Sequence, residues 1–316
     1  MALLRNSQIL LILFFPFPAG AQVAAGDLPQ GTVWYLHANL EQMRNSAAGR
    51  ELYKWLDGEI FMEIHDEVGI DIDKETDSIT AFSDRDQGTV IVVEGNISED
   101  TQQKLLAVAV LEAKLSTLEY QGNTYYHVHD QRRSRDEGDD EQDIDQANEL
   151  FDDLEDSAYF SFETKSRLII TSSEKRMEAM LDNGGKITGG SDHNGALFIL
   201  TADRTFLQAG LRTDELVDDD GDWESNIIRN TEQAALLVSG HDDLIAVEAQ
   251  LVSSDPKMAQ SIGGIVNGLI SLQAFNTDLD PQIRSLIENT RVEVKDKVLS
   301  VSTIIDPGLV LTVLSD

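Results

Sequence analysis

A short segment that occurs twice constrains the fold of this chain more than any other feature. Residues 31–39, GTVWYLHAN, align with residues 195–203, GALFILTAD, with similar size and polarity at nearly every position. Self-similarity of this kind is typical of a supersecondary unit that has been repeated along a chain. The elements predicted after each segment also agree in order, so we expect two tandem copies.

The first copy is predicted to span residues 31–129. Asn39 is suited to cap a helix. Apolar residues recur at every fourth position of that helix and predict one buried stripe, formed by Leu52, Leu56, Ile60 and Ile64. A second helix begins after Ser98, and we expect its Leu- and Ala-rich part, residues 105–115, to be largely buried. The strands are predicted at residues 78–83, 89–94, 118–120 and 125–128, the last two forming a hairpin.

The second copy is predicted to span residues 195–316. Strands are expected at residues 234–239, 244–252, 292–294 and 298–304. Pro256 suits the first turn of the helix between the two hairpins, because proline lacks an N–H that has no partner there. The first helix of this copy is less regular, since Asp218-Asp219-Asp220-Gly221 interrupts its pattern.

We therefore predict an α+β fold of two tandem duplicated β-α-β-β-α-β-β units, with antiparallel sheets and helices packed on one face. Two segments separate the units. Residues 130–156 form an acidic linker, because the twelve acidic residues from Asp136 to Asp156 are too charged to build a core. Residues 157–190 form a connecting hairpin and helix, with strands at 158–162 and 168–170 and a helix at 173–181 that ends at Asn183-Gly184-Gly185.

The N-terminus has the pattern of a cleavable signal peptide. Arg5 precedes an apolar run at residues 9–17, and small residues follow up to Ala21. We expect residues 1–21 to be removed by cleavage after Ala21, with cleavage after Ala25 as the alternative, and the mature protein to be periplasmic or extracellular. The chain contains no cysteine, so its fold is independent of disulfides. No later segment reaches the roughly 20 apolar residues of a transmembrane helix, and no stable membrane insertion is expected.

The charge balance excludes some partners. There are 24 basic and 57 acidic residues, which gives a net charge of −33. Such a surface repels nucleic acids and anionic lipids, and it attracts cationic ligands or basic protein surfaces. The simplest interpretation remains a solvated acidic surface.

Two segments resemble parts of hydrolase sites. Ser172-Ser173-Glu174-Lys175 fits the S-x-x-K pattern of penicillin-binding serine enzymes, but the chain lacks the K-T-G motif that accompanies it. The simpler interpretation is a helix start, with Thr171 and Glu174 as a capping box. Ser191-Asp192-His193 contains the residue types of a triad, but adjacent residues cannot align as one, and flanking glycines indicate a loop.

Metal ligands are the other chemical possibility. His127 and His129 lie two apart on a predicted strand and therefore share a face, with Asp130 next to them, although solvent-exposed side chains on a hairpin explain the pattern more simply. Asp71 and Asp73 belong to an alternating acidic run that could bind calcium. Asp218–Asp222 does not fit the calcium-binding loop of an EF-hand, because Leu216 and Ile227 would occupy its first and twelfth positions, which must be ligands. We expect no cofactor, with calcium as the one exception left open, and the remaining histidines, including His37, on the surface.

Gly264 and Gly268 allow a close approach to another helix, which we expect to occur by packing within the domain. The interpretation of function is a non-enzymatic binding or envelope-associated protein with a protein or cationic ligand as partner. The alternatives are a hydrolase built from His127, His129 and Asp130 or from Ser172 and Lys175, and a calcium-dependent structural protein. The pattern predicts no particular oligomeric state.

Overall fold

The structure is a computed structural model that describes residues 28–29, 31–62, 65, 72–84, 88–129, 157–162, 166–187, 195–209, 227, 229–274 and 281–309. The predicted signal peptide with its cleavage sites, the acidic linker and the Ser191-Asp192-His193 loop lie outside these residues. Asp71, Asp130 and the 216–222 segment also lie outside them. The signal peptide and the linker therefore remain predictions.

The described residues form twelve strands, most of them at the predicted positions. They are β1 (Thr32–Asn39), β2 (Thr76–Asp84), β3 (Gly88–Gly95), β4 (Lys114–Tyr120), β5 (Asn123–His129), β6 (Ser157–Ser161), β7 (Arg167–Thr171), β8 (Ala196–Asp203), β9 (Thr231–His241), β10 (Leu244–Ser253), β11 (Arg291–Lys295) and β12 (Val298–Ile305). The β4–β5 turn has the residues that a tight hairpin needs, because Gln121 and Gly122 both adopt positive φ, at 50° and 83°.

Helices connect or follow these strands. They are α1 (Leu40–Asn45), α2 (Ala47–Leu56), α3 (Ile72–Glu75), α4 (Glu99–Glu112), α5 (Glu174–Asp182), α6 (Arg204–Ala209), α7 (Pro256–Ala274) and α8 (Pro281–Asn289), and a π-helical turn (Asp57–Phe61) extends α2. Asn39 caps α1 by accepting a hydrogen bond from the Gln42 amide at 2.8 Å, and Ser98 caps α4, both as predicted. In the described residues, no helix combines the length and apolar character needed to cross a bilayer.

The strands form one continuous antiparallel sheet. Its order is β11-β12-β10-β9-β8-β1-β2-β3-β7-β6-β5-β4. The two copies of the repeated segment, β1 and β8, pair with each other, and Leu36 lies opposite Leu200. From this pair outwards the halves read β1-β2-β3-β7-β6-β5-β4 and β8-β9-β10-β12-β11, so the β6–β7 hairpin lies between β3 and β5. The α+β class and the antiparallel pairing are confirmed.

The two faces of the sheet carry different helices. Trp34, Leu36 and Ala38 of β1 point to one side, which we call the Trp34 face, and Tyr35, His37 and Asn39 point to the other, the Tyr35 face. Helices α1, α2, α6 and α7 pack on the Trp34 face, through contacts such as that between the Phe206 and Trp34 rings, whose centroids are 6.2 Å apart. Helix α5 of the connecting segment packs on the Tyr35 face. Helices therefore occupy both faces, because α5 of the connecting segment packs on the side of the sheet opposite the helices of the two predicted units.

The largest core lies between α5 and the first half of the sheet. Its fully buried members include Phe82, Val90, Val92, Ile169 and Met177. A buried ion pair links the same helix to β2. Arg176 Nη1 lies 3.1 Å from Asp84 Oδ2, and the two side chains are only 15% and 9% exposed. This core places the ends of β1, β2 and β3 beside β7, where the candidate site described below is found.

The predicted continuity of the first helix and the predicted burial of the second helix are wrong. The first helix is not continuous, because Ser46 ends α1 and caps α2 by accepting a hydrogen bond from the Gly49 amide at 2.9 Å. Helix α4 is not largely buried, since Val110 and Leu111 are 61% and 81% exposed. The helix packs beside the edge strand β4, which offers too narrow a surface to cover an apolar helix on several sides.

Candidate functional site

A polar pocket opens on the Tyr35 face at the ends of β1, β2 and β3. Its volume is about 370 Å³, within the range of small-ligand sites. Side chains and backbone from one half of the sheet line it: His37, Asn39, Glu41, Asp77, Ser78, Glu94, Gly95 and Ser166. We call it the His37 pocket. The described lining residues all come from the predicted first unit and the connecting segment, and not from a groove between the two predicted units.

Cross-strand pairing brings the polar groups together. His37 pairs with Thr80 on β2, and Ser78 pairs with Glu94 on β3, so that all four side chains share the Tyr35 face. The His37 Nδ1 atom shares a hydrogen bond of 2.8 Å with the Thr80 hydroxyl, and Ser78 Oγ donates to Glu94 Oε2 at 3.2 Å. These contacts fix the orientation of the imidazole and the carboxylate that line the pocket.

The rim of the pocket depends on local backbone geometry. The register of β2 against β3 shifts between Thr76 and Ser78, as at a β-bulge, and Asp77 lies at the shift. Gly95 is required opposite this point, because a Cβ atom there would overlap the Glu75 carbonyl oxygen. The Gly95 amide donates to the Ser166 carbonyl oxygen at 2.9 Å and closes the far side of the pocket.

The pocket is electrostatically negative. Three carboxylates line it, from Glu41, Asp77 and Glu94, and none of the lining residues that the structure describes is a lysine or an arginine. Two arginines behind the lining partly neutralise the charge of these carboxylates. Arg167 Nε donates to Glu94 Oε1 at 2.6 Å, and Arg44 Nη2 lies 3.2 Å from Asp77 Oδ1. Burial, together with the nearby Glu94 charge, raises the pKa of Tyr35 to about 12, so this phenol stays neutral.

The predicted histidine pair lies elsewhere on the same face. His127 and His129 project from β5, and their ring centroids are 6.2 Å apart. The His127 ring stacks on the Tyr159 ring, with 4.4 Å between the two centroids. The His127 Nε2 atom shares a hydrogen bond of 2.8 Å with Ser157 Oγ. Burial, together with the charge of His129, lowers the pKa of His127. Asp130 lies outside the described residues, so the third predicted ligand is not placed.

Metal-ligand clusters are not formed in the part of the chain that the structure describes. No group of three or more His, Cys, Asp or Glu side chains there has the arrangement to hold a metal ion. Asp73 belongs to α3, but its side chain is outside the described set, as is all of Asp71. The calcium site at these residues therefore stays a prediction.

The serine of the S-x-x-K pattern has a structural contact. Ser172 Oγ accepts a hydrogen bond from the Thr89 amide at 2.9 Å and so ties the end of β7 to β3. Lys175 is exposed on the first turn of α5. Ser173, not Thr171, is the N-cap of this helix and accepts from the Arg176 amide, so the predicted capping box is wrong. A Ser172 nucleophile would have to give up the contact between β7 and β3.

The sequence interpretation missed the His37 pocket. It placed His37 on the surface as a single residue, whereas the structure shows a half-buried side chain joined to Thr80. The available signal was the alternation of His37 and Asn39 on one strand and of Ser78 and Thr80 on the next. Only the pairing register shows that these residues meet Glu94, which lies 57 positions from His37.

The fold and the pocket define a mixed α+β protein with a polar, negatively charged cavity on one large antiparallel sheet. No protein-family model and no curated protein matches the chain. Among solved structures, three crystal forms of TP0453 are similar to it. Form IV has 12% sequence identity and a TM-score of 0.47, with 92% of this chain and 96% of that chain covered. Forms I and III have 12% and 13% identity and a TM-score of 0.43 each, with 92% of this chain and 95% and 96% of those chains covered.

Proposed function

We propose that this chain is an exported, non-catalytic binding protein that takes a small cationic ligand in the His37 pocket. The observation that carries the proposal is the composition of the lining, in which three carboxylates are combined with imidazole, amide and hydroxyl groups, and no lysine or arginine occurs among the described lining residues. An organic ammonium ion fits this set, because it can bind a carboxylate and donate further hydrogen bonds to neighbouring oxygens.

An organic cation suits the pocket better than a metal ion. Glu41, Asp77, Glu94 and His37 line a cavity of about 370 Å³, but no three such side chains among the described residues are arranged to hold a metal ion. A flexible amine can reach separated carboxylates, whereas a metal ion needs its ligands at bond distance. The net charge of −33 also supports a cationic ligand, since it raises the local concentration of cations and their association rate.

The binding protein is proposed to have arisen by duplication. Support comes from the pairing of the repeated segments β1 and β8 and from the matching outward order of the strands on each side of them. The two halves differ by the β6–β7 hairpin and by α8, which has no predicted counterpart in the first unit. On this account the pocket was completed when the β6–β7 hairpin was inserted, because Ser166, which lines the pocket, and Arg167, which binds Glu94, belong to the inserted segment.

Calorimetric titration tests the ligand class directly. Putrescine and spermidine are the cationic probes, and 1,4-butanediol and succinate are controls of similar length without positive charge. Glu94→Gln should weaken amine binding about tenfold or more, because it removes one charge-assisted hydrogen bond and leaves Arg167 beside the pocket. Glu293→Gln on the exposed edge strand β11 is the control of equal charge and should leave binding unchanged.

Two outcomes would contradict the proposal. One is equal binding of putrescine and butanediol, which would show that the positive charge is not recognised. The other is an equal loss of amine affinity in Glu94→Gln and Glu293→Gln, which would show that amines respond only to the overall acidic surface.

A further inference from the structure

One side of helix α7 is not covered by any element of the described part of the chain. Its sheet-facing side holds Ala259 and Ile262, which are buried, and Gly263, where a Cβ atom would lie 2.5 Å from Val294 Cγ2. The outward side carries three exposed apolar residues: Ile265, Leu269 and Leu272 are 41%, 43% and 69% exposed. They lie along one stripe of the helix because their spacing is four and three residues.

The small residues of the helix belong to the same stripe. A Cβ atom at Gly264 or Gly268 would meet nothing within 4 Å, so these glycines face open space. The prediction that they pack within the domain is therefore wrong, and Gly263 is the glycine that lets α7 approach the sheet. We define the α7 stripe as Ser261, Gly264, Ile265, Gly268, Leu269 and Leu272, and all six residues are exposed.

The stripe is also free of charge. No acidic or basic residue occurs from Met258 to Ala274, although 26% of the whole chain is charged. Two copies of a chain with a net charge of −33 repel each other over most of their surface. An uncharged helix face is therefore where two copies can meet with least electrostatic repulsion.

We propose that the α7 stripe is the contact surface between two copies of this chain, which pair through antiparallel α7 helices. A two-fold axis midway between positions 266 and 267 places Ile265 opposite Gly268 of the second copy, Leu269 opposite Gly264, and Leu272 opposite Ser261. Each large residue thus meets a small one. This self-complementarity is what a two-fold interface requires, and a partner of different sequence would not account for it.

The small size of the contact predicts a weak dimer. The six residues lie within twelve helical positions, about 16 Å from first to last, and one helix pair of this length lies at the low end of specific interfaces. We expect reversible association in the micromolar to submillimolar range. Added salt should strengthen it, because screening reduces the repulsion between the two acidic copies while the contact itself contains no ion pair.

Sedimentation velocity over a concentration series, with the full mature chain, tests the proposal. Gly268→Leu fills the space opposite Ile265 and should abolish the dimer. It should not lower the melting temperature, because the new side chain enters open space and leucine favours the helix more than glycine does. The size-swapped double variant Ile265→Gly with Gly268→Ile restores a large residue opposite a small one and should recover association.

The proposal is supported if the wild type dimerises, Gly268→Leu is a folded monomer and the swapped variant dimerises again. A wild type that stays monomeric up to its solubility limit would overturn it. So would a dimer that Gly268→Leu leaves intact, since the contact would then lie elsewhere. Cosedimentation of a monomeric wild type with phosphatidylcholine vesicles would also overturn it, because lipid would then be what covers the stripe.

Discussion

Glu94 and Arg167 lie on neighbouring strands, β3 and β7, and form a hydrogen-bonded ion pair of 2.6 Å beside the His37 pocket. The Glu94 side chain is 41% exposed, so the pair is worth no more than about 1 kcal/mol of stability. Its larger effect is on the site, because Arg167 holds the Glu94 carboxylate in position while the other carboxylate oxygen accepts from Ser78. Arg167 is thus a positioning residue for the pocket.

The ion pair between Arg176 and Asp84 should contribute far more to stability. Replacing Arg176 with methionine removes the guanidinium partner of a nearly buried carboxylate, and we expect a loss of about 3 kcal/mol in the free energy of unfolding. Lys104→Met breaks the exposed pair with Asp100 on α4 and should cost less than about 0.5 kcal/mol. Urea unfolding of both variants measures the difference, and equal losses would contradict the role given to burial.

Glu75 should make stability depend on pH in the acidic range. Burial alone would raise its pKa, but hydrogen bonds from Ser98 and Thr101 outweigh burial and lower it below the ordinary value of 4.5. The unfolded chain therefore binds a proton more readily, and this stabilisation is lost as the pH falls through the lowered pKa. Glu75→Gln should be less stable than wild type at pH 7, by less than about 1 kcal/mol.

The difference between wild type and Glu75→Gln should shrink as the pH falls below about 4.5 and vanish below the folded pKa. Urea unfolding at a series of pH values measures it. A difference that stays constant over this range would show that the amide disturbs the α4 cap by its shape and not by its charge.

His127 should titrate below the ordinary histidine value of 6.5. Burial lowers its pKa, the charges of His129 and Lys114 lower it further, and Glu174 opposes them. Because the unfolded chain then binds this proton more readily, the stability that the neutral imidazole provides is lost as the pH falls below about 6.5.

His129→Gln should raise the pKa of His127, measured by NMR of the imidazole resonances. His241→Gln, at the β9–β10 turn, should not, and equal shifts in the two variants would refute the coupling.

Two adjacent glycines on α7 should respond in opposite ways to alanine. Gly263→Ala places a methyl group against Val294 and should lower the melting temperature. Gly264→Ala points into open space and should raise stability by up to about 1 kcal/mol, because alanine favours a helix more than glycine does. Thermal unfolding of the two variants checks the orientation of α7. Equal effects would mean that the helix is rotated from the position described.

The strands were predictable because their signals are local. Hairpins such as β4–β5 combine β-forming residues with turn residues that tolerate positive φ, and Asn39 and Ser98 mark helix starts with their own side chains. The continuous sheet was not predicted, since the pairing of β1 with β8 joins segments more than 150 positions apart. The pocket was missed for the same reason: Glu94, Ser78 and His37 become neighbours only through the register.

An amide chemical-shift titration with putrescine tests the central claim most directly. We predict that the saturable shifts centre on His37, Asn39, Ser78, Gly95 and Ser166, and that Glu94→Gln removes them while Glu293→Gln does not. Butanediol should produce none of these shifts. Shifts spread over the acidic surface, without saturation and unchanged in Glu94→Gln, would contradict the account of the His37 pocket as a site for a cationic ligand.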